Sequence, residues 1–164
     1  METTIRKAST ADAKAISSIW EIICAERKFT AINKPFTPQQ EREYIFSLSD
    51  REGIFVAELE KQIIGFQSLD LWANFTDSFN HVGSIGTFVL PKWRRSYIGR
   101  KLSNHTFQFA RLNGYKKLVI YVRAKNARAI NFYKNLGFFE KGVLKEQVKI
   151  DGVYEDEIFM ELFL

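Results

Sequence analysis

The chain has 164 residues, of which 46% are hydrophobic and 26% are charged, with nine glycines and three prolines. This length suits one domain, which we expect to span residues 1–164, and the composition excludes a disordered or low-complexity protein. The net charge of +5 favours an anionic partner, but it does not distinguish a nucleic acid from a phosphorylated cofactor.

The cysteine and histidine content and the apolar runs exclude further classes. Cys24 is the only cysteine, and with two histidines the sequence has no ligand cluster at zinc spacing. No apolar run approaches the roughly 18 residues of a membrane-spanning helix, and no apolar signal-peptide core follows the charged first residues. We therefore expect a cytoplasmic protein that binds no metal and no membrane.

The first part of the chain predicts a strand and two helices. Residues 3–7 are compatible with a short strand, and Thr10 is predicted to cap a helix whose apolar stripe recurs at spacings of three and four. The sequence from Thr37 to Gln40 has the pattern of a capping box with proline at the first helical position, which predicts a second helix. Residues 26–36 between them lack periodicity, so we expect a loop that either is mobile or lines a pocket.

Three β segments are predicted next. Residues 54–59 and 63–71 are rich in β-formers and indicate a hairpin, and a further strand covers residues 82–90. Gly83 and Gly86 lie inside this strand. Interior glycine often marks a bulge or a place where another backbone or a ligand comes close, so this strand is the first indication of a site.

The second half of the chain alternates helices and strands. A helix with its apolar stripe at Ile98, Leu102, His105, Phe109 and Leu112 is predicted to end at Gly114, and the apolar run 118–122 predicts a buried strand. Asn126 is predicted to cap a helix that stops at Gly137, and Asp151-Gly152 predicts a hairpin between residues 148–150 and the strand from residue 153 onward. This order implies one α/β domain with a mixed sheet.

The junction between the strand at 82–90 and the helix that follows is crowded with cations. Free backbone amides at a helix start and the helix dipole favour a phosphate group there, although a solvated basic turn has the same composition. The segment Arg94-Arg95-Ser96-Tyr97-Ile98-Gly99 resembles the pyrophosphate loop of the GCN5-related N-acetyltransferase superfamily (GNAT), with Tyr97 where the family usually has its first glycine. Residues 126–138, from Asn126 to Phe138, are similar to a second segment of that family almost position for position.

The resemblance implies a fold, a cofactor and a set of contacts. The fold would be a mixed seven-stranded sheet with four helices and splayed parallel central strands, and acetyl-CoA would be the co-substrate, with its pantetheine between the strands at 82–90 and 118–122. The cofactor-binding residues would be Phe88, Val89, Arg94, Arg95, Ser96, Tyr97, Ile98, Gly99, Arg100, Asn126, Ala129 and Tyr133.

Tyr133 is the candidate catalytic residue. It lies two helical turns after Asn126 and hence on the same face, and the resemblance implies that it faces the CoA sulfur as a general acid. Core packing is the alternative role for Tyr133, and helix capping is an equally compatible role for Asn126.

The general base and the acceptor stay open in the sequence. His81, Asp70 and Glu58 on neighbouring strands, or water, could take the proton of an amine, whereas His105 is better explained as a core residue. Regions that line acceptor sites in the family contain Glu26, Phe29, Phe36, Asp70, Trp72 and Glu155 to Glu157, although such charges are often solvated.

The sequence therefore predicts an acetyltransferase that moves the acetyl group to a primary amine of a small molecule or peptide by direct attack on the thioester. The alternative is a catalytically silent CoA-binding or RNA-associated module on the same fold. We expect no specific nucleic-acid binding, because the cations concentrate at one loop, and the resemblance allows a homodimer.

Overall fold

The computed structural model describes residues 2–164. In this range seven strands form one mixed sheet in the order β1-β2-β3-β4-β5-β7-β6. The strands are β1 (Thr4–Lys7), β2 (Gly53–Leu59), β3 (Gln62–Leu71), β4 (Val82–Val89), β5 (Lys117–Arg123), β6 (Phe139–Ile150) and β7 (Val153–Phe163). The α-helices are α1 (Ala13–Ala25), α2 (Pro38–Ser47), α3 (Ile98–Leu112) and α4 (Ala127–Asn135). The expected fold class is confirmed.

The helices cover both faces of the sheet. On one face Ile16 and Trp20 of α1 pack against Val56 of β2, and on the other face Leu102 of α3 packs with Leu118 of β5. Successive strand residues point to opposite faces, so a central strand covered on both sides must be apolar throughout, as the run in β5 is. We name the two faces the α1 face and the α3 face.

The predicted cap of the first helix is wrong by two residues, because Asp12 rather than Thr10 precedes the α-helix. Thr10 begins a 3-10 turn that ends at Asp12, and the α-helix starts only at Ala13. The Asp12 carboxylate accepts a hydrogen bond from the Ser9 amide at 2.8 Å and pairs with Arg6 at 2.9 Å, so these contacts hold the turn ahead of the helix. The capping box of α2 is confirmed, because Thr37 Oγ1 accepts from the Gln40 amide at 3.2 Å and Gln40 Oε1 accepts from the Thr37 amide at 2.9 Å.

The last hairpin is longer than its sequence suggests. β6 begins at Phe139 rather than near Val148, pairs with β7 and is exposed along most of its length. A register shift between Leu144 and Val148, with φ of 50° at Glu146, interrupts the alternation that would have marked the strand. The turn at Asp151-Gly152 is confirmed, with φ of 50° and 82°.

The two central strands separate, and this separation positions the site. β4 and β5 are parallel but pair only from Val82 opposite Lys117 to Ser84 opposite Val119. Beyond these residues both strands continue without pairing to each other, and a gap opens between them. Residues 2–164 contain no helix that is long and apolar enough to cross a membrane.

Candidate active site

A cavity of about 880 Å³ extends through the gap between β4 and β5. Its walls are formed by β4, the β4–α3 loop, β5, α4, Glu157 of β7 and the α1–α2 loop, which spans residues 26–37. Every cofactor-binding residue expected from the sequence lines this cavity except Ser96. The α1–α2 loop therefore lines a pocket, which was one of its two predicted roles.

The β4–α3 loop brings backbone amides and cations to one end of the cavity. Arg95 and Tyr97 adopt left-handed backbone conformations, with φ of 64° and 61°, and Tyr97 directly precedes the first residue of α3. Alternation of left- and right-handed residues turns successive amides toward one point, and the helix dipole adds positive potential there. Arg95 of this loop and Arg100 in the first turn of α3 are exposed, and no ion pair within residues 2–164 involves them. This end of the cavity is suited to an anion.

Gly99 allows α3 to pack closely on α4. A Cβ at this position would lie 3.0 Å from the ring of Phe132. The glycine of the motif therefore has a packing role in addition to any contact with a ligand.

Arg94 lies in the motif, but its side chain points to the α1–α2 loop. Its guanidinium donates to both carboxylate oxygens of Glu26 at 2.8 and 2.6 Å, and its Nε donates to the Val89 carbonyl at 3.0 Å. It also lies 4.9 Å from the centre of the Phe29 ring. Arg94 therefore holds this loop against the cavity.

Tyr133 lies at the bottom of the gap. The residue is 4% exposed, and its hydroxyl donates to Thr87 Oγ1 at 2.9 Å. Burial raises the pKa of Tyr133 to about 12, although hydrogen bonds with the side chain and backbone of Thr87 partly oppose this effect. Gln67 donates to the same Thr87 oxygen at 2.7 Å. The phenol is thus neutral, and in this structure its one proton is held by Thr87.

Asn126 makes the predicted cap and one further contact. Its Oδ1 accepts from the Ala129 amide at 3.1 Å, while its Nδ2 donates to the Phe29 carbonyl at 3.3 Å. The side chain therefore begins α4 and also ties the α1–α2 loop to the cavity.

The α1 face of the cavity carries two groups that the sequence did not single out. Arg123, at the end of β5, donates to both Glu155 oxygens at 2.9 and 2.7 Å and to the carbonyls of Arg27 and Thr30 at 2.9 and 3.2 Å. Tyr121 lies in the same cavity wall and stacks against Trp72 with ring centres 5.7 Å apart. The signal for Arg123 was a cation ending an otherwise apolar strand.

The three side chains that the sequence offered as general bases lie outside the large cavity. Glu58 pairs with Arg6 at 2.7 Å and lines a separate cavity of about 420 Å³, while His81 is exposed beyond the start of β4. Asp70 accepts a hydrogen bond from the Tyr44 hydroxyl, and burial raises its pKa. None of these three side chains lines the large cavity, whereas Glu157 does. His105 is half-buried and packs against Phe55 with ring centres 5.1 Å apart.

The two strand glycines have different roles. A Cβ on Gly83 would lie 2.8 Å from Leu69 and 3.0 Å from Leu118, so this glycine serves core packing. Gly86 lines the cavity, as its sequence position indicated. Residues 2–164 hold no group of three or more His, Cys, Asp or Glu side chains arranged to bind a metal, and the absence of a metal stays a prediction.

Known proteins resemble this chain in sequence and in fold. A candidate phosphinothricin acetyltransferase of Bacillus subtilis, YwnH, is 22% identical over 91% of each chain. An uncharacterized N-acetyltransferase of Methanocaldococcus jannaschii is 34% identical over 58% of this chain, but the match spans only 43% of that protein. The structure of a phosphinothricin acetyltransferase from Sinorhizobium meliloti in complex with acetyl-CoA superimposes with a TM-score of 0.91, at 20% identity, covering 100% of this chain and 89% of the other.

The family assignment follows from a match across most of the chain. A sequence profile described as the acetyltransferase (GNAT) family covers residues 16–138, which include most of α1, the β4–α3 loop and α4. The resemblance seen in the two sequence motifs and the expected enzyme class are thereby confirmed. The chain belongs to the acetyltransferase (GNAT) family.

Proposed function

We propose that the protein transfers the acetyl group of acetyl-CoA to a primary amine of a small molecule or peptide. The observation that carries this proposal is the gap between β4 and β5, with an anion-suited loop at one end and the Tyr133 hydroxyl at its bottom. A similar fold from Sinorhizobium meliloti was solved with acetyl-CoA, which supports the choice of donor.

The donor is bound in two parts. The amides of the β4–α3 loop, with Arg95 and Arg100, receive the phosphates, because helix N-termini and unpaired guanidinium groups both attract anions. The pantetheine lies along β4. Val82 and Leu90 bond to β3, so the alternating residues Ile85, Thr87 and Val89 direct their amides and carbonyls toward the gap. The Val89 carbonyl already accepts from Arg94 and the Thr87 amide bonds to Tyr133, so the remaining groups provide hydrogen bonds to an extended chain that replaces the missing strand partner.

Direct attack by the amine on the thioester forms a C–N bond and breaks the C–S bond. Tyr133 protonates the leaving sulfur. Its single O–H, which donates to Thr87 Oγ1 in this structure, turns to the sulfur in that step. The pKa of about 12 means that the phenol is a hydrogen-bond donor at every physiological pH. It transfers the proton only as negative charge develops on sulfur.

The test is release of CoA from acetyl-CoA in the presence of a panel of amines, with the acetylated product identified by mass spectrometry. The panel contains amino acids, polyamines, aminoglycosides and peptides with free N-termini. The proposal predicts amine-dependent CoA release and an N-acetyl product. Binding of acetyl-CoA without transfer to any amine would favour the silent CoA-binding module instead.

A further inference from the structure

Glu157 is a buried carboxylate that faces the cavity on the α1 face. The residue is 7% exposed and belongs to the cavity wall. Within residues 2–164 no hydrogen bond or ion pair engages its carboxylate, and burial raises its pKa. Buried carboxylates are normally paired, because an isolated charge is costly to remove from water. The structure therefore leaves one negative group at this wall without a partner of its own.

The neighbouring cation does not fill this role. Arg123 lies opposite Glu157 on β5 and lowers the Glu157 pKa somewhat, but its guanidinium is committed to Glu155 and to two loop carbonyls. The other titratable side chains that act on this wall are Tyr121 of β5 and Glu155 of β7, and neither is a cation. A cation that bonds directly to the Glu157 carboxylate is therefore left for a ligand to supply.

We propose that Glu157 binds the ammonium group of the acceptor and takes its first proton, and that the acceptor is a primary amine without a carboxylate beside that amine. This inference rests on the proposed function and names the acceptor class of the same site.

The arginines of the α1 face indicate that the acceptor has no carboxylate beside its amine. Arg94 is paired with Glu26, Arg123 with Glu155 and Arg27 with Asp151. An α-amino acid bound with its ammonium at Glu157 would place its carboxylate close to that same group, and the guanidinium groups of Arg27, Arg94 and Arg123 are already paired. Like charges placed side by side repel each other, so such acceptors are rejected.

The acceptor nitrogen loses two protons during the reaction. Glu157 takes the first proton from the ammonium and releases it to water after the reaction. The neutral amine then attacks the thioester carbon, the C–S bond breaks, and the sulfur receives a proton from Tyr133. The phenol is restored by the second proton that the nitrogen loses as it becomes an amide. The products are the N-acetyl amine, CoA as a thiol and one proton.

The first experiment uses wild-type protein and acceptors that differ only in the carboxylate. The matched sets are 2-phenylethylamine, phenylalanine amide and phenylalanine, and agmatine and arginine. We expect kcat/KM for each compound that lacks the carboxylate to exceed that of the matching amino acid by at least about tenfold. Equal or better rates with the amino acids would overturn the assigned acceptor class, as would acetylation of neither member of any set by a protein that binds acetyl-CoA.

The second experiment replaces the carboxylate by an amide in Glu157→Gln, with Glu140→Gln as a control on the exposed strand β6. We expect kcat/KM for the best amine to fall by about 10²-fold or more in Glu157→Gln, the usual size of a general-base contribution, with acetyl-CoA affinity and the control variant unchanged. In wild type, kcat/KM should increase with pH as the Glu157 carboxyl loses its proton, and this increase should be absent in Glu157→Gln. Wild-type rates and an unaltered pH profile in a folded Glu157→Gln protein would remove Glu157 from the reaction.

Two further measurements keep the outcomes distinct. If Glu157→Gln does not fold, Glu157→Asp retains the charge on a shorter side chain, and it should keep the amine preference at a reduced rate. If wild-type protein does not bind acetyl-CoA, the proposed function fails. Calorimetry with agmatine against arginine then tests the inference alone, because preferential binding of agmatine requires the unpaired carboxylate and not the donor.

Discussion

Tyr133 is 4% exposed and lines the cavity in which we propose that the thioester reacts. Its hydrogen bond to Thr87 holds the proton in this structure, and burial keeps the phenol neutral with a pKa of about 12. A structural tyrosine would also be buried and bonded, so geometry alone does not separate the two roles. The kinetic effect of removing the hydroxyl does.

We expect Tyr133→Phe to lower kcat by about 10²-fold or more while acetyl-CoA affinity stays nearly intact. The ring keeps its packing, and only the proton donor is lost, so kcat and kcat/KM should fall together. Steady-state kinetics with a responsive amine measures the effect. Tyr115→Phe is a matched control, because its buried hydroxyl donates to the Arg51 carbonyl at 3.1 Å outside the cavity. Unchanged kcat in Tyr133→Phe would leave water to protonate the thiolate.

The carboxylate of Glu157 has a consequence for stability that can be measured without any substrate. Burial raises its pKa in the folded state, so its contribution to stability is fully present below the unfolded-state pKa and is lost as pH rises through the folded-state pKa. The charged form therefore destabilises the protein at neutral pH. We expect Glu157→Gln to be more stable than wild type at pH near 7 and to lose that advantage near pH 4, as measured by urea denaturation. A variant that is less stable at neutral pH would contradict a buried, uncompensated charge.

Single residues of the site were predictable where local chemistry defines them. Asn126 and Tyr133 share a helix face by their spacing, and the structure places both at the cavity. The partner of Arg94 was not predictable, because Glu26 is 68 residues away in sequence and only the fold brings them together. Glu157 could not be separated from its acidic neighbours, since the face to which each strand residue points depends on the register of β7.

At the scale of elements, the β4–α3 loop adopts a left-handed backbone at a residue that carries a Cβ. Tyr97 has φ of 61° and ψ of 4°, a conformation that costs such a residue roughly 1–2 kcal/mol. It stands where the resembling motif usually has a glycine, which adopts this conformation without that cost. The tyrosine bears the strain with its side chain largely exposed.

This interpretation predicts that Tyr97→Gly is more stable than Tyr97→Ala by about 1 kcal/mol. Both substitutions remove the same exposed ring, but only glycine relieves the strain of the left-handed backbone. Chemical denaturation of the two variants gives the difference directly. If alanine is equally stable, the loop does not adopt this conformation in solution.

Elements with local start and stop signals were predicted well, whereas an element defined by its partner was not. The capping box of α2 and the turn at Asp151-Gly152 are encoded within a few residues, and both are confirmed. The first part of β6 lies at the edge of the sheet, exposed and interrupted at Glu146, so it lacks the apolar alternation that indicates a strand. Its strand conformation depends on pairing with β7.

At the scale of the whole molecule, the positive charge is divided between two uses. Arginines on the α1 face are paired with carboxylates and hold the α1–α2 loop, as Arg94 and Arg123 do. Arg95, Arg100 and Arg128 also line the cavity, and the ion pairs formed within residues 2–164 do not include them. This distribution favours one compact phosphate site over an extended nucleic-acid surface, and the absence of specific nucleic-acid binding stays a prediction.

The most direct test of the central claim, that acetyl-CoA binds through the β4–α3 loop, is a calorimetric titration of wild type, Gly99→Ala and Gly99→Glu. Alanine controls for pressure on the Phe132 ring, which a Cβ would approach to 3.0 Å, and glutamate adds a negative charge where the phosphates approach. We predict binding by wild type that weakens with added salt, a smaller change in Gly99→Ala and loss of binding in folded Gly99→Glu. Unchanged acetyl-CoA affinity in folded Gly99→Glu would contradict the account.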